Sequence, residues 1–304
     1  MKKRVLSLFL ALVALAFLSL GQAETLTVVD MAGRELNFTK PVERVIVMMP
    51  GDCEILYAIG AGDMVMGRGE YCSYPAEVLE IEAVKSGQET NLEQIIALNP
   101  DVLVMTKMAQ SQEHTEALEK AGIQTLVTDA QDIAGVYTAI TLLGQVTGKT
   151  QEAAQLVQSM QDAFAQVAGQ VAGRKAGTVY YEASPLEWGL WASGANTFMD
   201  ELGQMVGLEN IFGDNPGWVE VSEEQVISRN PDYILTTTMY FGEGPLPEDE
   251  VMGRAGWQGI TAVSLQQVIN VDNDLFTVPG PRLVEAMDFL YNYFYGAAEL
   301  DEAA

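Results

Sequence analysis

The 304-residue sequence predicts an α/β protein of two lobes, each built on a parallel sheet, joined by a single long connecting helix. Three observations lead to this fold class. Apolar runs of strand length alternate with helical patterns, one helix-and-strand segment occurs twice, and a long helical segment broken only by Gly169 separates the two copies. We therefore expect residues 24–148 to form the first lobe, 149–172 the helix and 173–296 the second lobe.

The repeated segment predicts a capped helix, an abrupt end and a buried strand. The copies open on Asn91 and Ser222, and each carries glutamine three positions later, which is the spacing of a capping box. Asn-Pro-Asp follows an apolar run in both copies, and proline ends a helix there because it lacks an N–H and restricts the residue before it. Each copy places one glutamate in the first turn of its helix, Glu93 or Glu224.

The other elements are predicted from their local patterns. Residues 25–29 and 34–38 alternate around a turn and predict a hairpin. We expect the chain to turn at 50–52 and the long helix to be capped by Thr147 or Thr150. Further predicted strands are 45–49, 64–67, 102–105, 123–127, 178–181 and 267–271, and further predicted helices are 54–59, 113–121, 150–171 and 282–295.

Residues 1–23 have the pattern of a secretory signal peptide. Three basic residues precede the apolar run 5–20, and small residues at Gly21 and Ala23 predict cleavage after Ala23. The alternative, a membrane anchor, needs a longer apolar run. Since the cleavage site has no cysteine to carry a lipid, we expect an unanchored protein retained in a periplasm. Residues 297–304 form an acidic tail.

Composition excludes several classes of function. A formal net charge of −26 argues against nucleic acid as a partner, because phosphate binding requires Arg and Lys patches. One histidine and two cysteines make a zinc site or a resident cofactor unexpected, and no nucleophile motif indicates an enzyme. Cys53 and Cys72 could form a disulfide in an oxidising compartment, or remain free.

Aromatic residues gather in loops that follow predicted strands, where ligands bind in parallel α/β sheets. Walls of this kind suit a large, flat or macrocyclic ligand in a cleft between the lobes. Arg282 is a candidate for a polar contact there, although it could instead pair locally with Glu285. The candidate aromatic residues are Tyr71, Tyr74, Trp188, Trp191, Trp218, Tyr240, Phe241 and Phe276.

The order and spacing of several short motifs resemble the iron-complex and cobalamin periplasmic-binding proteins of ABC importers. The resemblance covers nearly all of the chain after the signal peptide. Its motifs are Asp30-x-x-Gly33-Arg34, Pro41-x-x-Arg44-Val45, the Glu54 helix, Tyr71-x-x-Tyr74-Pro75, Asn91-Leu92-Glu93 with Asn99-Pro100-Asp101, Glu209-Asn210-Ile211-Phe212, Ser222-x-Glu224, Gly256-Trp257 and Gly280-Pro281-Arg282.

The resemblance implies a receptor that performs no reaction and delivers a metal chelate, either a corrinoid or a ferric siderophore, to an ABC permease with its cytoplasmic ATPase. A haem receptor of the same family and a secreted α/β enzyme are the alternatives. Glu93 and Glu224 would dock on arginines of the permease. The residues implied for ligand binding are Tyr71, Thr106, Trp188, Trp218, Tyr240, Phe276 and Arg282.

Overall fold

Two α/β units and a small hairpin make up the fold. The computed structural model describes residues 25–86, 90–107 and 112–296, so the predicted signal peptide and the acidic tail lie outside the described residues. The hairpin pairs β1 (Leu26–Val29) with β2 (Glu35–Phe38) in antiparallel register, as its alternating pattern predicts. The predicted division near residues 148 and 172 stays a prediction.

The first sheet is parallel throughout, and its strands are apolar because both faces are covered. The strand order is β5-β4-β3-β6-β7. Val45, Ile46 and Val47 in its central strand are fully buried. The strands are β3 (Val45–Val47), β4 (Val65–Gly69), β5 (Ala83–Val84), β6 (Val102–Thr106) and β7 (Gln124–Thr128).

The second sheet is mixed, with the order β11-β9-β8-β12-β13 and β10 pairing with β8. The prediction of parallel strands holds for β8, β10, β12 and β13. Strand β9 pairs antiparallel with β8, because a short link turns the chain back after β8, and β11 pairs antiparallel with β9. The strands are β8 (Gly177–Ser184), β9 (Trp191–Ser193), β10 (Leu208–Asn210), β11 (Trp218–Glu220), β12 (Tyr233–Thr236) and β13 (Val268–Asn270).

Helices cover the faces of both sheets. In the described part of the chain they are α1 (Pro50–Ala58), α2 (Leu92–Leu98), α3 (Gln112–Lys120), α4 (Ile133–Val146), α5 (Thr150–Gln170), α6 (Phe198–Met205), α7 (Glu223–Arg229), α8 (Pro247–Gly253), α9 (Thr261–Ser264), α10 (Asn273–Thr277) and α11 (Leu283–Tyr291). A π-helical turn over Asn292–Gly296 follows α11, so the predicted closing helix is regular only to Tyr291.

The long helix α5 packs into one hydrophobic core shared by both units. Met160 and Phe164 on α5 are buried in the same cluster as Val136 of α4, Leu202 of α6 and Leu283 of α11. Because apolar contacts run without a break from one unit to the other, the connection is rigid rather than a flexible linker.

The two copies of the repeated segment fold in the same way. Helices α2 and α7 each end at an asparagine in the left-handed region, Asn99 (φ 50°) and Asn230 (φ 46°), directly before the proline. The aspartate that follows accepts backbone N–H groups where a neighbouring strand starts. Asp101 Oδ2 accepts from Arg44 N (3.0 Å) before β3, and Asp232 Oδ2 accepts from Thr178 N (2.8 Å) in β8.

Three local predictions about helix starts are wrong or incomplete. The first helix begins at Pro50 rather than after a turn at 50–52, because proline fits the first helical position, where its missing N–H is not needed. Lys149 precedes α5, and no side chain caps it. The full capping box forms only at Ser222, because Gln94 donates instead to Glu82 Oε1 (2.8 Å) and the Ala83 carbonyl oxygen (3.1 Å).

Candidate functional site

A cavity of about 300 Å³ lies between the two units, at the carboxyl ends of strands of the first sheet. The first unit contributes the segments that follow β3, β6 and β7, and the second contributes the start of α6, the start of β11 and the segment after α10. The lining residues are Met49, Pro50, Gly51, Asp52, Thr106, Thr128, Asp129, Ala130, Gln131, Phe198, Trp218, Thr277, Val278 and Pro279.

Beside the cavity the two units approach so closely that position 51 requires glycine. A Cβ atom on Gly51 would lie 2.6 Å from the Pro279 carbonyl oxygen, so any other residue would push α1 and the segment before α11 apart. A Cβ atom on Gly280 would lie 2.9 Å from Glu54 Oε2, so a larger residue there would displace the Glu54 side chain.

Arg282 joins the two units across this contact. Its Nη1 lies 3.3 Å from Glu54 Oε1, and its guanidinium carbon lies 4.3 Å from the centre of the Tyr74 ring. Its Nε also lies 3.7 Å from Glu285 Oε1, so the local pairing considered from the sequence is present beside the contact between the units. Burial raises the pKa of Glu54 to about 7, although the Arg282 charge opposes the rise.

The floor of the cavity carries a buried carboxyl group, Asp52, in the first turn of α1. Thr128 Oγ1 donates to Asp52 Oδ2 at 2.6 Å. Burial raises the pKa of Asp52 to about 7, and the Thr128 hydroxyl opposes the rise only in part. Asp129 also lines the cavity and forms a 3.8 Å ion pair with Lys107. No arginine or lysine is among the described residues that line the cavity.

Of the residues proposed for ligand binding, the structure brings Thr106 and Trp218 into the cavity wall. Tyr71, Trp188 and Tyr240 are exposed, with 71%, 73% and 44% of their surfaces open to solvent. They follow β4, β8 and β12, so they lie on loops at the same edges of the sheets as the cavity. Their roles stay predictions.

Phe276 does not line the cavity, and its role in ligand binding stays a prediction. It lies in α10, is only 1% exposed and packs edge-on against Phe289 of α11 at 5.8 Å. Its neighbour Thr277 lines the cavity instead. Trp191 and Trp218 lie in short strands rather than in loops.

Asp52 and Thr128 are site residues that the sequence analysis missed. The pattern Pro-Gly-Asp indicated a turn at 50–52 and hid the start of α1. The position of both residues in the sequence could nevertheless have identified them, because each comes at or shortly after the carboxyl end of a strand in the first sheet, where ligands bind.

Glu93 and Glu224 occupy matched places in the first turns of α2 and α7, and both are exposed. The neighbouring Glu223 is differently placed, since its Oε2 accepts the indole N–H of Trp257 at 2.7 Å. This leaves Glu224 as the solvent-facing carboxylate of α7. A hydrogen bond from its own backbone N–H, helped by the Ser222 side chain, lowers the pKa of Glu224.

Cys53 and Cys72 are free and fully buried. The Cys53 thiol donates to the Tyr74 carbonyl oxygen (3.7 Å) and the Cys72 thiol to the Val47 carbonyl oxygen (3.8 Å). The neighbouring Cys72 thiol, together with burial, raises the pKa of Cys53. A disulfide between them stays a prediction. Within residues 25–86, 90–107 and 112–296, no group of three or more His, Cys, Asp or Glu residues could hold a metal ion, and no helix is long and apolar enough to cross a membrane.

The chain is similar in sequence and fold to substrate-binding proteins of known family. An uncharacterized ABC transporter substrate-binding lipoprotein of Bacillus subtilis, YvrC, is 33% identical over 275 residues, which cover 88% of this chain and 85% of that protein. A vitamin B12-binding protein of Pectobacterium carotovorum is 29% identical over 249 residues, 80% of this chain and 85% of that protein. The crystal structure of a possible iron-binding periplasmic solute-binding protein from Staphylococcus epidermidis superimposes with a TM-score of 0.73 at 26% identity, covering 84% of this chain and all of that chain.

A family model described as periplasmic binding protein matches residues 45–275, which run from the first buried strand to the helix beside the cavity. Proteins of this family bind substrates for ABC transporters and are not enzymes, so the prediction of a non-enzyme is confirmed and the secreted-enzyme alternative is wrong. The family match, the B. subtilis relative and the two-unit architecture agree: the chain belongs to the periplasmic binding protein family, the substrate-binding components of ABC transporters.

Proposed function

We propose that this protein captures a metal chelate, either a corrinoid or a ferric siderophore, in the cleft between its two lobes and delivers it to an ABC permease. The observation that carries the proposal is a cavity between the lobes whose described lining combines Trp218 and other apolar groups with hydroxyl, amide and two carboxyl groups and contains no basic side chain. A neutral chelate of large apolar surface fits such a lining better than an anionic catecholate chelate does. The vitamin B12-binding relative supports the same ligand class.

The ligand would extend beyond the cavity to the exposed aromatic residues at its edge. A corrinoid ring is too large to lie wholly within about 300 Å³, so part of it would stack on side chains outside the cavity. Tyr71, Trp188 and Tyr240 follow strands of both sheets and would hold the ligand from both lobes. Arg282 would fix Tyr74 beside them through its cation–π contact.

Tryptophan fluorescence tests this proposal directly. Trp218 lines the cavity, and titration with cyanocobalamin, ferric hydroxamate siderophores and haem should change the emission for one class. Trp218→Phe should remove much of the response, whereas the buried Trp257 should contribute little to it. A response to haem alone would favour the haem-receptor alternative with Tyr71 as a candidate iron ligand, and flat titrations would refute the ligand proposal.

Glu93 and Glu224 are proposed as the contacts with arginines of the permease. The support is their matched position at the first turns of two equivalent helices and their exposure, which leaves each carboxylate available for charge-assisted hydrogen bonds. The double variant Glu93→Ala/Glu224→Ala should bind ligand with unchanged affinity and associate more weakly with the permease.

Glu113 offers a matched control for the docking test. It is also exposed and lies in the first turn of a helix, α3, but it is outside the repeated segment. Glu113→Ala should leave permease association unchanged. Equal effects of the double variant and the control would mean that overall charge, not two-point docking, determines association.

The cellular location is proposed to be the periplasm, reached through a signal peptide cleaved after Ala23. The support is the charge and apolar pattern of residues 1–23 and the absence of a cysteine there, in contrast to the name of the lipoprotein relative. N-terminal sequencing of the exported protein tests the cleavage site. Mass spectrometry of the same unreduced sample would show whether Cys53 and Cys72 form a disulfide.

A further inference from the structure

Asp52 is a buried ionisable group in the lining of the cavity. It is only 5% exposed, yet it lines the floor of the cavity between the lobes. The Thr128 hydroxyl is its hydrogen-bond donor among the described side chains, at 2.6 Å. Position 52 was not among the residues expected to contact the ligand.

Among the described residues that line the cavity, none is a cation that could compensate Asp52. Asp129, the other carboxylate in the lining, has Lys107 at 3.8 Å and accepts from Gln131 Nε2 at 3.0 Å. Glu54, two residues further along α1, lies 3.3 Å from Arg282, and the Cys53 thiol, whose pKa is raised, carries no charge. The charge of Asp52 therefore faces the ligand space without a neutralising partner.

The position of Asp52 in α1 strengthens its effect on ligand charge. The N-terminus of a helix attracts anions, and α1 begins at the cavity. A carboxylate in the first turn of α1 already occupies that favourable place. A ligand anion would therefore meet repulsion from Asp52 at the point where the backbone alone would have attracted it.

We propose that Asp52 determines the charge specificity of the cleft, accepting hydrogen bonds from amide or hydroxyl groups of the ligand and excluding ligands that place a carboxylate on the cavity floor. The inference rests on the proposed function, since it requires a ligand in this cleft. It narrows the ligand class to chelates with uncharged, hydrogen-bond-donating side chains.

A matched pair of corrinoids tests the proposal. Cobinamide carries amide side chains, and cobyrinic acid carries carboxylates on the same macrocycle. Isothermal titration at pH 8.5 should show that the unchanged protein prefers cobinamide, and Asp52→Asn should reduce this preference about tenfold, mainly by improving the affinity for cobyrinic acid. The substitution keeps an oxygen that can accept from Thr128, so the variant should fold.

The pH dependence of cobyrinic acid affinity is a second measurement, which would not change if Asp52 had only a structural role. Because burial raises the pKa of Asp52 to about 7, affinity for cobyrinic acid should increase when the pH falls from 8.5 to 5.5, and Asp52→Asn should lose that increase. Glu54 titrates in the same range but is present in both proteins, so the difference between them reports Asp52.

Thr128→Val provides a second variant that keeps the carboxyl group. Removing the hydroxyl takes away a hydrogen bond that favours the charged form, so the change in cobyrinic acid affinity should move to higher pH. An unchanged preference in Asp52→Asn, with both corrinoids binding, would overturn this inference alone. Failure of all corrinoid, siderophore and haem probes to bind would overturn the proposed function and this inference with it.

Discussion

Arg282 and Glu54 show how single residues set the geometry of the cleft. The two side chains come from different lobes and lie 3.3 Å apart, and the Arg282 guanidinium also lies over the ring of Tyr74. Glu54 is 5% exposed, and its Oε2 has no hydrogen-bond partner. A carboxylate buried in this way depends on Arg282 for most of its stabilisation.

The protonation of Glu54 makes the stability of the folded protein depend on pH. Its pKa is about 7 in the folded protein, above the ordinary value of 4.5, so folding favours its protonated form. The stability contributed by protonation is fully present below pH 4.5 and is lost as the pH rises through about 7. Stability attributable to Glu54 should therefore be lower at pH 8.5 than at pH 5.

Arg282→Ala should destabilise the protein more at high pH than at low pH. At pH 5 Glu54 is protonated and needs no cation, whereas at pH 8.5 it must ionise without a partner or remain protonated against the solution pH. We expect the loss in unfolding free energy to be about 1–2 kcal/mol larger at pH 8.5 than at pH 5. Urea unfolding at the two pH values measures the difference.

Glu54→Gln in the Arg282→Ala background is the control, because it removes the ionisable group. The extra loss at pH 8.5 should then disappear. If the penalty for Arg282→Ala has the same size at both pH values, the contribution of Arg282 comes from packing on Tyr74 rather than from its charge.

At the level of single residues, the sequence could suggest candidates but not contacts. Trp218 was proposed because aromatic residues after predicted strands gather at one edge of a sheet, and Thr106 was proposed only through the family resemblance. The Arg282–Glu54 contact joins positions 228 residues apart, and no local pattern connects them. Phe276 was proposed for both reasons, and neither reason shows whether its ring faces a ligand or packs inward, as it does against Phe289.

Among the elements, helix α7 shows how neighbouring glutamates take different roles. Trp257, which is fully buried, donates its indole N–H to Glu223 Oε2, and its ring lies 4.6 Å below the guanidinium of Arg254. Arg254 in turn pairs with the buried Glu182 at 2.5 Å in the central strand β8. The first turn of α7 is therefore fixed to the interior of its lobe through Glu223.

Glu223→Ala should reduce stability much more than Glu224→Ala. Removing Glu223 leaves the buried Trp257 N–H without a partner, at an expected cost of about 1–2 kcal/mol in unfolding free energy. Glu223→Gln keeps an accepting oxygen and should lose only part of that amount. Thermal or urea unfolding of the three variants measures this, and a larger effect of Glu224→Ala would contradict the division of roles.

Element types were predictable where local chemistry decides them. The Asn-Pro-Asp motif ends both helices as predicted, because proline restricts the residue before it wherever it occurs. The start of α1 was missed because Pro-Gly-Asp is compatible with both a turn and a helix N-terminus. The side chain of Gln94 turned to Glu82 and Ala83, which lie next to it only in the folded protein.

For the whole molecule, alternation of strands and helices was enough to predict the fold class. The antiparallel edge of the second sheet was not predicted, because the strands β9 and β11 are only three residues long and carry little pattern. The shared core was also beyond the sequence analysis. An amphipathic long helix indicates that one face is buried, but not that both lobes bury it together.

The shared core predicts that the two lobes unfold as one cooperative unit. Phe164 lies near the middle of α5, is 4% exposed and belongs to a cluster containing residues of both lobes. Phe164→Ala should therefore lower the stability of the whole protein by about 3–4 kcal/mol, through lost apolar contacts and the space left behind.

Calorimetry and urea unfolding followed by two probes should show a single unfolding transition that shifts as a whole in Phe164→Ala. Gln155→Ala, an exposed change on the same helix, should leave it in place. Two separate transitions, with only one of them moved by Phe164→Ala, would mean that the lobes are stabilised independently of each other.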